Sequence, residues 1–179
     1  MDLSLDPSLR DAAVLVPVYR DADGALAVVL VRRTEGGIHG GQLAFPGGQR
    51  DDHDRTLFDT ALRESEEEIG LLAEAVTMLT ALPVVSTRVS GFQVHPFLAR
   101  IERPAAWRPD AREIAEVLEL PLATLTRPGV HDWSMERLNG WPAPRRIDFY
   151  HVGPHRLWGV SYRILHPLLP RLLAGEWAV

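Results

Sequence analysis

The stretch from Ala44 to Leu71, AFPGGQRDDHDRTLFDTALRESEEEIGL, constrains the fold more than any other part of the chain. It sets a Pro-Gly-Gly turn ahead of a segment whose apolar residues recur with a helical period. At about 100° per residue, Phe58, Ala61, Leu62, Ser65 and Ile69 share one face and predict a buried stripe, with Ser65 small enough for close packing. Glu64, Glu67 and Glu68 fall on another face, at the i+3 and i+4 spacings that make side chains neighbours. Like charges this close weaken a helix, so a compensating cation from outside is expected. Several carboxylate oxygens on one spot suit a hard divalent ion, Mg²⁺ or Mn²⁺, better than zinc. For a glutamate run taken alone, a solvated acidic face is the plainer alternative. Thr56 or Asp54 is placed to cap the helix and Gly70 to stop it.

Arg63-Glu64-Ser65-Glu66-Glu67-Glu68-Ile69-Gly70-Leu71 resembles the second half of the Nudix box, and Phe45-Pro46-Gly47-Gly48 resembles the turn that opens it. The resemblance implies an α/β fold, the Nudix α/β/α sandwich with a mixed sheet between helices. It also implies metal-dependent pyrophosphate hydrolysis with Glu64, Glu67 and Glu68 as metal ligands. A backbone carbonyl of Gly47 or Gly48 joins them, as in related proteins. The water's proton goes to Glu64 or Glu67, with Glu113 and Glu116 as outside candidates. Arg63 is placed one turn before Glu67, where a pair holds that carboxylate, and Glu66 points away as a solvated charge. The first half of the box departs from the pattern. Where the family has a glutamate eight residues before the arginine this chain has Arg55, and Asp54, one residue earlier, is the candidate substitute partner of Arg63.

Composition narrows the classes. A 179-residue chain with 46% hydrophobic residues is of single-domain size, residues 1–179 forming one domain. Cysteine is absent, which excludes disulfide and thiolate chemistry. A net charge of −5 argues against nucleic-acid binding. All nineteen basic residues are arginine, a bias that genome composition explains as well as phosphate recognition does. The first ten residues, MDLSLDPSLR, do not read as a signal peptide, and no apolar run is long enough for a membrane. A soluble, cytoplasmic protein is the expectation, and the residues leave the oligomeric state open, a homodimer included.

Along the chain, Ala12–Tyr19 and Ala25–Arg33 flank Asp21-Ala22-Asp23-Gly24 and predict a β-hairpin. Thr34–Gly41 reads as a mobile loop and Gln42–Phe45 as a short strand. Ala75–Val85 and Phe92–Ile101 predict strands joined by the linker Ser86–Gly91, and Arg103–Asp110 a proline-rich connection. Glu113–Leu120 is ambiguous by period and is assigned to strand, with a short helix after Pro121. His131–Pro144 reads as irregular and Arg146–Val152 as strand. Leu157–Leu173 predicts a closing helix that Pro167 and Pro170 kink or split.

Three stretches resemble the coenzyme A pyrophosphatase branch of the Nudix family. They are Val29–Thr34 followed by Gly41–Gly48, Ser90–Phe97, and Leu157–Leu165. The implied reaction hydrolyses the pyrophosphate of coenzyme A or acyl-CoA to 3′,5′-ADP and phosphopantetheine or its acylated form. Gly47, Gly48 and Phe92 are candidate substrate contacts. The branch's arginine between β-strand and Gly-Gln is missing here, so Arg32, Arg33 or Arg88 is the candidate supplier of phosphate-binding charge. Arg32 and Arg33 also read as plain edge-strand charges. One rival is a Nudix enzyme acting on ADP-ribose, another nucleoside diphosphate derivative or a nucleoside triphosphate. A non-catalytic nucleotide sensor is a rival of another class, but such proteins lose box glutamates and all three are present here.

Overall fold

The computed structural model describes residues 9–36, 40–87, 91–137 and 142–179. Two long apolar runs build its centre: β1 (Arg10–Arg20) and β2 (Leu26–Arg33). They pair antiparallel through Val18 and Val28, and the turn between them closes as expected, with Asp21 Oδ1 accepting from the Asp23 and Ala25 amides. Next come β3 (Leu43–Ala44) and β4 (Gly47–Gln49), then α1 (Leu57–Ile69). A single-turn helix, Ala73–Ala75, precedes β5 (Val76–Ala81), β6 (Val85–Thr87) and β7 (Phe92–Ile101). After β8 (Ile114–Pro121) and a second short turn of helix, Leu122–Thr126, three strands follow: β9 (His131–Glu136), β10 (Arg145–Val152) and β11 (His155–Leu157). The helix α2 (Gly159–Leu173) closes the chain.

The main sheet runs β3-β2-β1-β7-β5, with β4 on β1, β6 on β7 and β8 on β2; β11-β10-β9 form a separate antiparallel sheet. Because β1 lies parallel to β7 and antiparallel to β2, the main sheet is mixed. Strand alternation divides its residues between two cores. Leu15, Val29, Val31 and Ala99 pack on one face against Ala61 and Ile69 of α1. Val16, Val28, Leu30 and Leu98 pack on the other against Ile164, Leu165 and Leu168 of α2, and against Tyr150 and Val152 of the small sheet. Both faces of β1 and β2 are therefore buried, which is why their sequences are continuously apolar. Each fully buried leucine or isoleucine contributes about 1.5–3 kcal/mol. The result is the α/β/α sandwich that the resemblance implies.

Differences from the expected elements have local causes. His131–Glu136 is a strand rather than irregular coil. It edges the small sheet with Trp133 and Met135 exposed, so no buried face writes an alternation into its sequence. Residues 138–141 and the centre of the Thr34–Gly41 loop lie outside the described residues. The Ala75–Val85 run is broken after Ala81, and Ser86 belongs to β6 rather than to a linker. Pro167 and Pro170 do not split α2: both are exposed, where carbonyls deprived of a donor can turn to water. Arg32 and Arg33 are not edge-strand charges, because this end of β2 lies between β3 and β8. Among the described residues no helix is long and apolar enough to cross a membrane.

Candidate active site

β1 changes partner along its length. Its C-terminal half pairs with β2, whereas Ala12, Ala13 and Val14 pair with Gln49, Gly48 and Gly47 of β4. The Leu15 amide donates to the Pro46 carbonyl at 2.9 Å, drawing the Pro-Gly-Gly turn tight against the sheet. Only glycine fits at position 47. Gly47 has φ +149°, and a Cβ on it would sit 2.2 Å from the Ala13 carbonyl oxygen. A Cβ on Gly48 would stand 2.5 Å from the Glu64 carboxyl carbon. That close approach leaves α1 free to lean its acidic side on the turn.

α1 starts at a capping box in which Thr56 and Asp59 exchange side chain-to-backbone bonds, and ends at Gly70 in the left-handed region. Thr56 is thus the cap, and Asp54 has another task. Ala61, Ser65 and Ile69 form the buried stripe, Phe58 packs edge-on to Phe97 at 5.4 Å, and Leu62 is only half-buried. β4 lies across the flank that carries Glu68, so this glutamate, read from the sequence as part of an open face, is 3% exposed.

Two guanidiniums hold the three glutamates. Arg63 Nη1 donates to Glu64 Oε1 at 2.9 Å and to Glu67 Oε2 at 3.1 Å. Its other nitrogens grip Asp54, Nε to Oδ1 and Nη2 to Oδ2, each at 3.0 Å, and Nη2 also donates to the Gln49 carbonyl. Asp54 therefore takes the place of the absent box glutamate. Arg63 beside it holds its carboxyl well below the ordinary aspartate range, against the cost of burial. Glu68 Oε2 accepts from the Gly47 amide at 3.0 Å, and Oε1 from Arg33 Nη1 at 3.1 Å. Burial pushes Glu68 up to about 7, outweighing both bonds, with Glu64 and Glu113 adding repulsion. Burial also raises Glu64, despite its bond from Arg63.

Glu64, Glu67 and Glu68 line one pocket with Asp110, Arg112 and Glu113. The last three come from the loop between β7 and β8, which docks on the end of α1 through bonds from the Arg108 amide to the Ile69 carbonyl and from Asp110 to that of Glu68. Asp110 and Arg112 were not legible as site residues, because they reach it through backbone docking that leaves no residue pattern. Gly70 makes room for that loop, since a Cβ there would press on the Arg108 side chain at 2.9 Å. Arg33 joins the site by bridging Glu68 and Glu113; Arg32 instead pairs with Glu116 at 3.3 Å, and neither lines the pocket. Phe92 lies elsewhere, beneath the Arg10 guanidinium at 4.3 Å, and Arg88 is outside the described residues.

The residues suit a hard divalent cation. The donors are all oxygens, and five carboxylates line the pocket against one guanidinium, an excess of negative charge that suits a cation. Among the described residues no three acidic or histidine side chains converge as ligands in this arrangement, because Arg63 and Arg33 hold their oxygens. Glu64, Glu67 and Glu68, with the Gly48 carbonyl, are the groups that would hold the ion.

A family model described as NUDIX domain matches residues 9–138. A protein of Pectobacterium atrosepticum named "Uncharacterized Nudix hydrolase NudL" is 37% identical over 93% of this chain and 88% of its own length. One of the same name from Cronobacter sakazakii is 42% identical over 89% and 81%. Among solved structures, the Nudix hydrolase RenU of M. smegmatis superposes with a TM-score of 0.65 at 22% identity, covering 95% of this chain and 89% of that one. The NUDIX domain of Shewanella oneidensis NrtR, solved with ADP ribose, superposes at 0.54 and 23% identity, covering 68% and 80%. These two structural likenesses speak for the fold.

Proposed function

The chain belongs to the Nudix family, as a Nudix hydrolase, and on that premise we propose that its 179 residues form one domain that hydrolyses the pyrophosphate bond of coenzyme A or its thioesters. The products are 3′,5′-ADP and phosphopantetheine or its acylated form. The observation that carries the hydrolytic site is that Glu64, Glu67 and Glu68 line one pocket beside a glycine turn. Support for the substrate comes from the three stretches resembling the coenzyme A branch. Leu30, Leu43 and Phe45 from the first, Val94 from the second, and Leu157, Ile164 and Leu165 from the third share one core cluster, so the three stretches pack together.

In this reading Asp54 fixes Arg63, Arg63 aims Glu64 and Glu67, and the Gly47 amide aims Glu68. Mg²⁺ or Mn²⁺, when bound, neutralises charge on the diphosphate oxygens and makes water a stronger acid. Glu64, raised by burial, is suited to take the water's proton. Glu67, 60% exposed on its side chain, and Glu113 in the same pocket are its rivals. Glu116, tied to Arg32, is not a pocket residue. The competing substrate reading is ADP-ribose, favoured by the missing branch arginine and by the ligand of the Shewanella relative.

A substrate panel with Mn²⁺ or Mg²⁺ separates these. Coenzyme A is expected to yield 3′,5′-ADP and phosphopantetheine; brisk cleavage of ADP-ribose with coenzyme A untouched would replace the first reading with the second. The glycines give a further expected outcome. Gly48→Ala should keep the fold, because its Cβ displaces only the end of the flexible Glu64 side chain, and should cut turnover about 100-fold through misplacement. Gly47→Ala meets backbone instead and should cost about 2 kcal/mol or more of stability in a thermal or denaturant melt. Full turnover by Gly48→Ala would remove Glu64 from the chemistry.

A further inference from the structure

The two guanidiniums that hold the glutamates are anchored very differently. Arg63 keeps four bonds to Asp54, Glu64 and the Gln49 carbonyl even if its contact with Glu67 is lost. Arg33 has two side-chain partners, the buried Glu68 and Glu113, and the Glu113 side chain is 57% exposed on a pocket-lining loop. Arg33 is also the last residue of β2, and the register with β8 slips between Arg32 and Arg33. Such an irregularity re-aims a side chain; here it separates Arg32, which turns to Glu116, from Arg33, which reaches the pocket glutamates. The charge of the most buried carboxylate in the site is thus offset by the less anchored of these two cations.

We propose that Arg33 is a displaceable stand-in for the divalent cation. It competes with the ion for Glu68, and once released it offers its fork to the substrate diphosphate. The inference rests on the reading that Glu64, Glu67 and Glu68 take the ion. Two cations on one carboxylate repel each other, and a compact divalent ion outbids a guanidinium for carboxylate oxygen. A planar fork with five donors is in turn suited to the two-oxygen edge of a phosphate. Arg33 thereby keeps Glu68 satisfied before the ion arrives and supplies positive charge afterwards, in a chain whose loop before Gly41 has no arginine.

The test is a calorimetric titration of the chelator-stripped protein with Mn²⁺ alone, on the wild type, Arg33→Met, Arg33→Lys and Glu68→Gln. Arg33→Met is expected to bind Mn²⁺ about tenfold tighter, a repulsion of the size that one nearby charge imposes. Its KM for whichever diphosphate the panel shows to be cleaved should rise about tenfold, with kcat changed less. Unchanged or weaker Mn²⁺ binding in Arg33→Met, the outcome for a mere brace of Glu68, overturns the proposal. An unchanged KM overturns its substrate half. If Arg33→Met does not fold, Arg33→Lys decides, since a point charge cannot span both carboxylates. Threefold tighter binding supports competition and unchanged binding refutes it. Mn²⁺ binding that is absent in the wild type, or undiminished in Glu68→Gln, overturns the metal reading itself and this inference with it.

Discussion

Glu68→Gln is expected to abolish turnover and yet to melt at a higher temperature than the wild type at pH 8 in the presence of chelator. Glu68 is 3% exposed, and burial lifts its carboxyl from an ordinary value of 4.5 to about 7. A carboxyl whose folded value lies above its unfolded one binds its proton more tightly in the folded state. The stability that goes with that proton is fully present below pH 4.5 and is lost as pH rises through about 7. Glutamine carries no charge, can accept from the Gly47 amide, and leaves Arg33 with Glu113. After allowance for the weakened Arg33 contact, the gain at pH 8 is roughly 2 kcal/mol, or about 5 °C for a chain of this size. The lost charge contact to the cation removes several kcal/mol of transition-state stabilisation, at least about 10³-fold in rate. Melting curves from pH 5 to 8 check the first half: the wild type should decline across that range and the variant should stay level. A variant less stable than the wild type at pH 8 would mean that Arg33 and Gly47 outweigh burial. Retained turnover would strike Glu68 from the ligands.

The opposition of stability and activity at Glu68 also shows what could be read from the residues alone. Spacing put three glutamates on one side of a helix, but not which one the sheet would cover; that depended on β4 crossing one flank of α1. The central strands were legible because burial on both faces writes an apolar run, and α1 because Thr56, Asp59 and Gly70 mark its ends. β9 was not, since an exposed edge strand imposes no pattern; α2 was legible as a closing helix, but not its passage unbroken through two prolines, whose exposed positions only the packed helix reveals. Asp110 and Arg112 were out of reach for a related reason. They enter the pocket on a loop fixed by amides, and amides are common to every residue.

Asp54→Asn should lower stability at neutral pH and slow turnover together, and Arg55→Glu should not repair it. Asp54 is buried and grips Arg63 with both oxygens, and Arg63 Nη1 in turn aims Glu64 and Glu67. Asparagine presents a donor where one of these oxygens accepted, so Arg63 loses the charged partner that fixes its plane. Removing one partner of a buried pair costs about 3–5 kcal/mol; because Arg63 keeps some solvent contact, about 2 kcal/mol is expected here. The carboxyl is held below its ordinary 3.8, so its stabilisation is present above that value and is lost as pH falls beneath it. The acid limb of the wild-type stability curve should therefore flatten in the variant. Turnover should drop about 10–100-fold, the effect of losing a group that orients a ligand, with kcat changed more than KM. Arg55 stands where the family pattern has its glutamate, but its side chain is 89% exposed and directed at Asp59. A glutamate there points to solvent, and the double variant should stay as slow as Asp54→Asn. Rescue by Arg55→Glu would mean that the loop after Gly48 can slide by one residue, and that Arg63 is served by position along the chain rather than by the buried pocket that Asp54 fills.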